Sequence, residues 1–236
     1  MDWLDRPLAA FDLETTGTDP EEDRIVTASV ALVGKGTETE AADWLVDPGV
    51  EIPEKATDVH KITTEMARAE GRDAAEAVGE ITTLLATYLN DDYPIVAFNA
   101  RYDLTMLDRE SRRYGIEPLV DLVGGPTGLL VLDPLILDKQ MDPYRPGKRK
   151  LTDLCSLYEI ELTEAHAAHA DALAAARLAW RLGSRNPEFG GLDLPSLHDR
   201  QVDWARAQAE SLQEYFDRQG KDETVETEWP LVAWRG

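Results

Sequence analysis

The order in which two kinds of pattern occur along this chain restricts its fold more than any other feature. The first apolar segments are short and β-rich, at residues 8–13, 25–33 and 43–46. They are joined by the turn-prone Gly17-Thr18-Asp19-Pro20 and Gly34-Lys35-Gly36, and such short connections read as an antiparallel meander. From Asp73 onward helix and strand alternate, with helical periodicity at 74–89, a buried strand at 94–98, a helix at 102–114 and a strand at 129–132. A helix between strands implies a right-handed crossover and parallel pairing. Helical patterns at 151–158 and 168–182 follow. The expected class is α/β, with a mixed five-stranded sheet, antiparallel meander plus parallel strands, flanked by helices.

The first strand closes on two acids. In Phe11-Asp12-Leu13-Glu14-Thr15-Thr16-Gly17 the two-residue alternation of a strand puts Asp12 and Glu14 on one face. Adjacent carboxylates repel unless cations lie between them. Alone, Asp-x-Glu also describes a solvated strand end. Two later segments add to it. Val96-Ala97-Phe98-Asn99-Ala100-Arg101-Tyr102-Asp103 is an apolar strand leading to an acid at the start of a helix, and strand ends are where α/β sheets gather functional groups. Taken by itself, Asp103 is equally an ordinary acid of a helix N-terminus. His166-Ala167-Ala168-His169-Ala170-Asp171 opens an Ala-rich amphipathic helix, in which an inward-facing Asp needs a partner.

Composition narrows the rest. With 236 residues, 43% of them hydrophobic, the chain suffices for one well-cored domain and an appendage: residues 1–185, then a C-terminal helix and extended tail over 186–236. No apolar stretch approaches the roughly 20 residues that cross a bilayer. Met1-Asp2-Trp3-Leu4-Asp5 has no basic start followed by an apolar run, so a soluble, cytoplasmic protein without a membrane partner is expected. The lone Cys155 has apolar neighbours and reads as a buried, inert thiol. A net charge of −22 argues against tight, sequence-independent duplex binding, which relies on Lys and Arg neutralising phosphates. Bound divalent ions can nevertheless invert the electrostatics of an acidic site. Basic residues are dense at Lys139 and in Arg145-Pro146-Gly147-Lys148-Arg149-Lys150, a pattern that fits a solubilising loop and a phosphate-contacting one alike.

The three acidic segments together resemble the DEDDh family of 3′–5′ exonucleases, in the DnaQ-like superfamily that includes the polymerase III proofreading subunit, ribonuclease T and oligoribonuclease. Phe-Asp-Leu-Glu-Thr-Thr-Gly is similar to the family's first motif, Asn-Ala-Arg-Tyr-Asp to its second and His-x-x-x-x-Asp to its third, over roughly residues 7–185. Val59-His60-Lys61-Ile62-Thr63 is similar to its His-Gly-Ile-Thr segment, with Lys61 where the family has glycine. The resemblance implies a ribonuclease H-like fold and an enzyme that releases nucleoside monophosphates from DNA 3′ ends by a two-metal-ion mechanism. It implies Asp12, Glu14, Asp103 and Asp171 as metal-binding carboxylates and His166 as general base, with His169 its rival. Two divalent cations would be needed, and an oxygen-rich set suits Mg²⁺ or Mn²⁺ better than Zn²⁺. Leu13, Thr15, Thr16, His60, Asn99 and Tyr102 would meet the 3′-terminal nucleotide, Tyr102 by stacking on a base. RNA ends or short oligoribonucleotides are the alternative substrate. A nucleic-acid or polymerase-binding module without turnover is the reading from a different class.

Residues 196–218, with Trp204, Leu212 and Phe216, read as a helix capped by Ser196 after Pro195. The apolar, extended Glu228-Trp229-Pro230-Leu231-Val232-Ala233-Trp234 follows. It is expected to fold back over its own domain, the competing reading being a docking peptide for a polymerase or other replication partner.

Overall fold

The computed structural model describes residues 3–34, 40–162 and 166–236; Lys35 and Gly36 of the second expected turn lie outside the described residues. Strands β1 (Leu8–Thr15), β2 (Ile25–Val33) and β3 (Glu40–Asp47) pair antiparallel in chain order. A two-residue strand β4 (Arg72–Asp73) lies parallel to β3, while β5 (Ile95–Val96) and β6 (Val131–Leu132) continue the sheet parallel to β1. Among the described residues the sheet has six strands, in the order β4-β3-β2-β1-β5-β6, one more than expected. The extra strand is β4, and two residues are too few to leave an alternation in the sequence.

The helices are α1 (Glu54–His60), α2 (Thr64–Glu70), α3 (Ala74–Asn90), α4 (Ala100–Arg113), α5 (Leu119–Leu122), α6 (Pro134–Met141), α7 (Leu151–Tyr158), α8 (Ala168–Arg185), α9 (Pro187–Gly190) and α10 (Leu194–Gln219). None among the described residues is long and apolar enough to cross a membrane. Strand β1 runs through the middle because it is apolar on both faces. Phe11 and Leu13 pack with residues of α3 and α4, whereas Leu8 and Ala10 pack with α6, α7 and α8. Helix α8 meets the sheet through Ala172, Ala175, Ala176 and Ala179, all buried. Small side chains at a packing surface let two elements approach closely, which brings the first turn of α8 beside the second half of β1.

Helix α10 begins at Leu194, two residues before the expected start, and its cap is Asp193, which accepts the Ser196 N–H at 2.8 Å, rather than Ser196 itself. It covers the edge of the sheet. His198 Nδ1 accepts the Val131 N–H (3.1 Å), Gln201 Oε1 accepts the Asp133 N–H (2.8 Å), and Gln201 Nε2 donates to the Val131 carbonyl (3.0 Å), so the outer side of β6 has its hydrogen bonds met. The segment after α10 runs along α4. Trp229 is buried against His198, the Val232 N–H donates to Thr105 Oγ1 at 3.0 Å, Arg109 donates to the Val232 carbonyl at 3.0 Å, and the guanidinium groups of Arg109 and Arg112 lie over the Trp234 ring.

The basic stretch has a structural occupation that neither reading of its charge foresaw. Arg145 (2.7 Å) and Arg149 both donate to Oδ2 of Asp138, a fully buried acid on α6 whose other oxygen accepts from the Tyr158 hydroxyl at 2.8 Å. Lys148 and Lys150 stay exposed. Cys155 is buried, and that burial pushes its thiol up to about 11, out of the reactive range. Removing the acid from the Asp138 cluster would leave two arginines without their partner, so Asp138→Ala is expected to cost about 3 kcal/mol of unfolding free energy. Urea titration would measure it; a midpoint equal to that of the unaltered chain would show the cluster to be dispensable.

Candidate active site

Because Asp12 and Glu14 alternate with Phe11 and Leu13, they share the face of β1 that looks toward α8. The strand ends at once: its register against β2 shifts between Glu14 and Thr15. The chain then turns through a loop held almost wholly by its own hydrogen bonds. The Thr16 N–H donates to the Arg24 carbonyl (2.9 Å) and the Thr16 hydroxyl to Asp23 (2.8 Å), while the Thr15 (2.7 Å) and Tyr102 (2.6 Å) hydroxyls both reach the Gly17 carbonyl. A Cβ at Gly17 would lie 2.4 Å from Asp23 Oδ2, so a side chain there would displace the carboxylate to which the Thr16 hydroxyl and the Asp19 N–H donate. The polar ends of Thr15, Thr16 and Tyr102 are therefore engaged in shaping the edge of the site.

Asp103 enters from the first turn of α4. It is 4% exposed, and its Oδ1 accepts the Leu13 N–H at 3.1 Å, which ties the helix to β1 between Asp12 and Glu14. Asp171 enters from the first turn of α8. Its Oδ2 accepts the backbone N–H of His166 at 3.2 Å, and its buried Oδ1 has no hydrogen-bond partner. His166 has the left-handed backbone conformation (φ 69°), its side chain exposed. Donor atoms of Glu14, His166 and Asp171 lie within 4.8 Å of one another. His169, the rival, faces β2 and β3 instead, 3.4 Å from Ser29 Oγ and 3.3 Å from Asp43 Oδ1.

His60 closes α1. It is buried; its Nδ1 accepts the Ile62 N–H at 3.1 Å, and its Nε2 has no partner. Burial holds its pKa below the usual imidazole value. Lys61, which stands where the resembled motif has glycine, takes the left-handed conformation itself (φ 66°). The turn keeps a glycine-like path at a cost that glycine would not bear. Asn99, too, is left-handed (φ 64°) and opens α4 without a side-chain cap.

The electrostatics follow from the crowding. Burial, then the charges of Asp103, Asp171 and Glu14, push the Asp12 carboxyl well above its ordinary value. Asp103 is raised by burial against the pull of its backbone hydrogen bonds, with Asp133 and Glu14 adding to the rise. Burial and Asp171 push Glu14 up to about 7, and burial raises Asp171 as well. Acids gathered like this ionise together only if positive charge joins them. The open Asp171 oxygen, the all-carboxylate core and the single imidazole beside it fit hard divalent cations.

One residue of this region carries no motif that singled it out. Asp133, buried at the end of β6, accepts from the backbone N–H groups of Asn99, Ala100 and Leu135, each within 3.0 Å. The local signal was an Asp-Pro pair directly after a strand, a common helix start; its reach to α4 is tertiary.

The exonuclease model of the RNase_T family matches residues 9–179. Curated relatives include PolC-type DNA polymerase III from Lacticaseibacillus paracasei, 26% identical over 191 residues, and from Staphylococcus aureus, 28% identical over 189. Each alignment covers 80% of this chain and 12% of the polymerase. Among solved structures, E. coli exonuclease I in complex with a dT13 oligonucleotide superposes with a TM-score of 0.66 at 22% identity, covering 78% of this chain and 42% of that one. A zinc-bound form of the E. coli enzyme with single-stranded DNA gives 0.68 at 21% identity, covering 88% and 45%. This chain thus spans less than half the length of those proteins, and the exonuclease I likeness shows a shared fold. With the family model matched over most of its length, the chain belongs to the RNase_T exonuclease family, and is a nuclease.

Proposed function

We propose that this nuclease is a 3′–5′ exonuclease acting on DNA, releasing nucleoside monophosphates from a free 3′ end with two divalent cations, Mg²⁺ or Mn²⁺, held by Asp12, Glu14, Asp103 and Asp171. The observation that carries the reading is the convergence of four buried or half-buried carboxylates from β1, α4 and α8, every one with a raised pKa. Bound there, the cations would supply the positive charge that the scissile phosphate and the departing 3′ oxygen require. His166 accepts the proton of the attacking water at a ring nitrogen, the acceptor atom that an imidazole provides. Its exposure lets that proton pass to solvent. Asp171 keeps the histidine in place through the backbone N–H it accepts.

Leu13 and Thr15 at the end of β1 and Thr16 just after it line the place of the terminal nucleotide together with His60, Asn99 and Tyr102. The relatives that are DNA polymerases, and the fold shared with an enzyme seen with a dT13 oligonucleotide, support DNA over RNA.

The test is degradation of 5′-labelled single-stranded DNA, mismatched-end duplex and RNA of one sequence, with Mg²⁺, Mn²⁺ or EDTA. A metal-dependent ladder shortening from the 3′ end of DNA is expected. A strong preference for RNA would replace the reading with an exoribonuclease, and no shortening by folded protein would leave a binding module. Loss of one cation ligand removes several kcal/mol of transition-state stabilisation, so Asp12→Ala is expected to lower kcat on the order of 10³-fold. Filter binding should show single-stranded DNA still bound by that variant; retained turnover would remove Asp12 from the machinery.

A pH effect follows without substrate. Between the ordinary carboxyl value of 4.5 and its own value of about 7, folded Glu14 keeps a proton that the unfolded chain has released. The folded state then binds more protons, so stability falls as pH rises through that window. In EDTA the Tm is expected to drop from pH 5 to pH 8 more steeply for the unaltered chain than for Glu14→Gln, and Mg²⁺ should narrow the gap. Equal slopes in EDTA would show that Glu14 ionises without strain.

A further inference from the structure

We propose that Asp133 is a positioning residue for Asp103, and that the segment following α10 takes part in the site by fixing Asp133. This rests on Asp103 being a cation ligand, as proposed above. Asp103 belongs to the first turn of α4, so its placement depends on where that helix starts. Nothing local fixes the start, since Asn99 supplies no side-chain cap and has a left-handed backbone. That conformation turns two successive N–H groups the same way, as in the backbone nests that hold anions. The anion is Asp133: Oδ1 accepts from Asn99 at 3.0 Å and Oδ2 from Ala100 at 3.0 Å. The same carboxylate caps α6 through the Leu135 N–H at 2.9 Å. One buried group thus sets the origins of two helices.

Asp133 is in turn held from the C-terminal side. The Trp229 indole N–H donates to its Oδ2 at 3.4 Å, and its backbone N–H donates to Gln201 of α10. Farther along α4, Thr105 and Arg109 bind the backbone of Val232, and Arg101 binds the Glu226 carbonyl. These contacts fasten α4 on either side of Asp103, while Asp103 itself is fastened to Leu13. Groups that orient a ligand without touching the metal commonly change its affinity 10–100-fold when altered. The Asp133 carboxylate meets this description: its hydrogen bonds go to none of the four acids, its charge reaches Asp103, and it fixes the backbone from which Asp103 projects.

The experiment is calorimetric titration of Mn²⁺ into the metal-free full chain, with the rate of DNA degradation followed against Mn²⁺ concentration. Asp133→Asn keeps the size of the side chain and loses its charge and one acceptor. It is expected to weaken Mn²⁺ binding roughly tenfold or more, with activity recovered at high Mn²⁺. Trp229→Phe keeps a ring against His198 and removes the indole donor, and should shift affinity in the same direction by a smaller factor. Asp103→Asn should lose tight binding with no recovery. A folded Asp133→Asn that binds Mn²⁺ as the unaltered chain does would overturn the proposal. If Asp133→Asn does not fold, Trp229→Phe decides, and unchanged affinity there overturns it equally. Unchanged affinity in Asp103→Asn would instead overturn the ligand assignment beneath it, a result distinguishable from the others.

Discussion

Four carboxylates pressed together at the end of a buried strand repel one another, and much of this molecule can be understood as what holds them there against that repulsion. Side chains of this kind in contact with water would swing apart. Here β1 is apolar on both faces and lies mid-sheet, so Asp12 and Glu14 keep the spacing of the strand. Asp103 cannot retreat, because it is buried and bonded to the Leu13 N–H, the backbone between the other two acids. Asp171 sits on a helix brought close by a row of buried alanines. The cost appears as raised pKa values rather than as displaced side chains. A polyanionic substrate would meet this site only in company with cations, so the strain in the metal-free state is the same quantity that gives affinity for them.

The restraint is layered. Closest to the acids are backbone amides, at Leu13, placed by β1, and at His166, in the left-handed turn before α8. Behind them stand the loop bonds of Thr15, Thr16, Asp23 and Tyr102, which stop the chain after β1 from relaxing outward. Behind α4 stand Asp133 and the C-terminal segment. The apolar and aromatic residues of that segment are engaged with α4 and α10. A partner that recruited them would therefore have to compete with contacts that also steady Asp103.

What could be read from the sequence was whatever a short window encodes. Alternation along β1 placed Asp12 and Glu14 on one face, and the likeness of two later short motifs to one family, not their local pattern, joined Asp103 and Asp171 to them; in the structure the four lie close enough for their charges to act on one another. The antiparallel-then-parallel order of the sheet was legible because connection length encodes it. The misses were tertiary or too short to have a period. Strand β4 has two residues. The cap expected at Ser196 is Asp193, three residues earlier, which puts Pro195 in the first turn of the helix instead of before it. Lys61 looked out of place beside a glycine-bearing motif, yet a lysine can take the left-handed conformation when the turn around it is well held. Asp133 was invisible because, Leu135 apart, its partners lie more than 30 residues away in either direction.

The same distinction bears on the charge. A net charge of −22 suggests poor contact with nucleic acid, and the basic stretch at 145–150 offered the obvious remedy. The structure engages the arginines of that stretch elsewhere, Arg145 and Arg149 on Asp138, and does the same on α4, with Arg109 and Arg112 on Asp108 and Arg113 on Glu110. Guanidinium groups engaged with buried acids are poorly placed to release counterions from a phosphate backbone. For the function proposed, attraction to DNA would then rest less on a basic track than on cations at the four carboxylates, together with apolar and stacking contacts to the terminal nucleotides. Such an enzyme would grip the end of a strand where the metal lies and little beyond it. That would make occupancy of the carboxylate site, more than ionic strength, the variable that governs turnover.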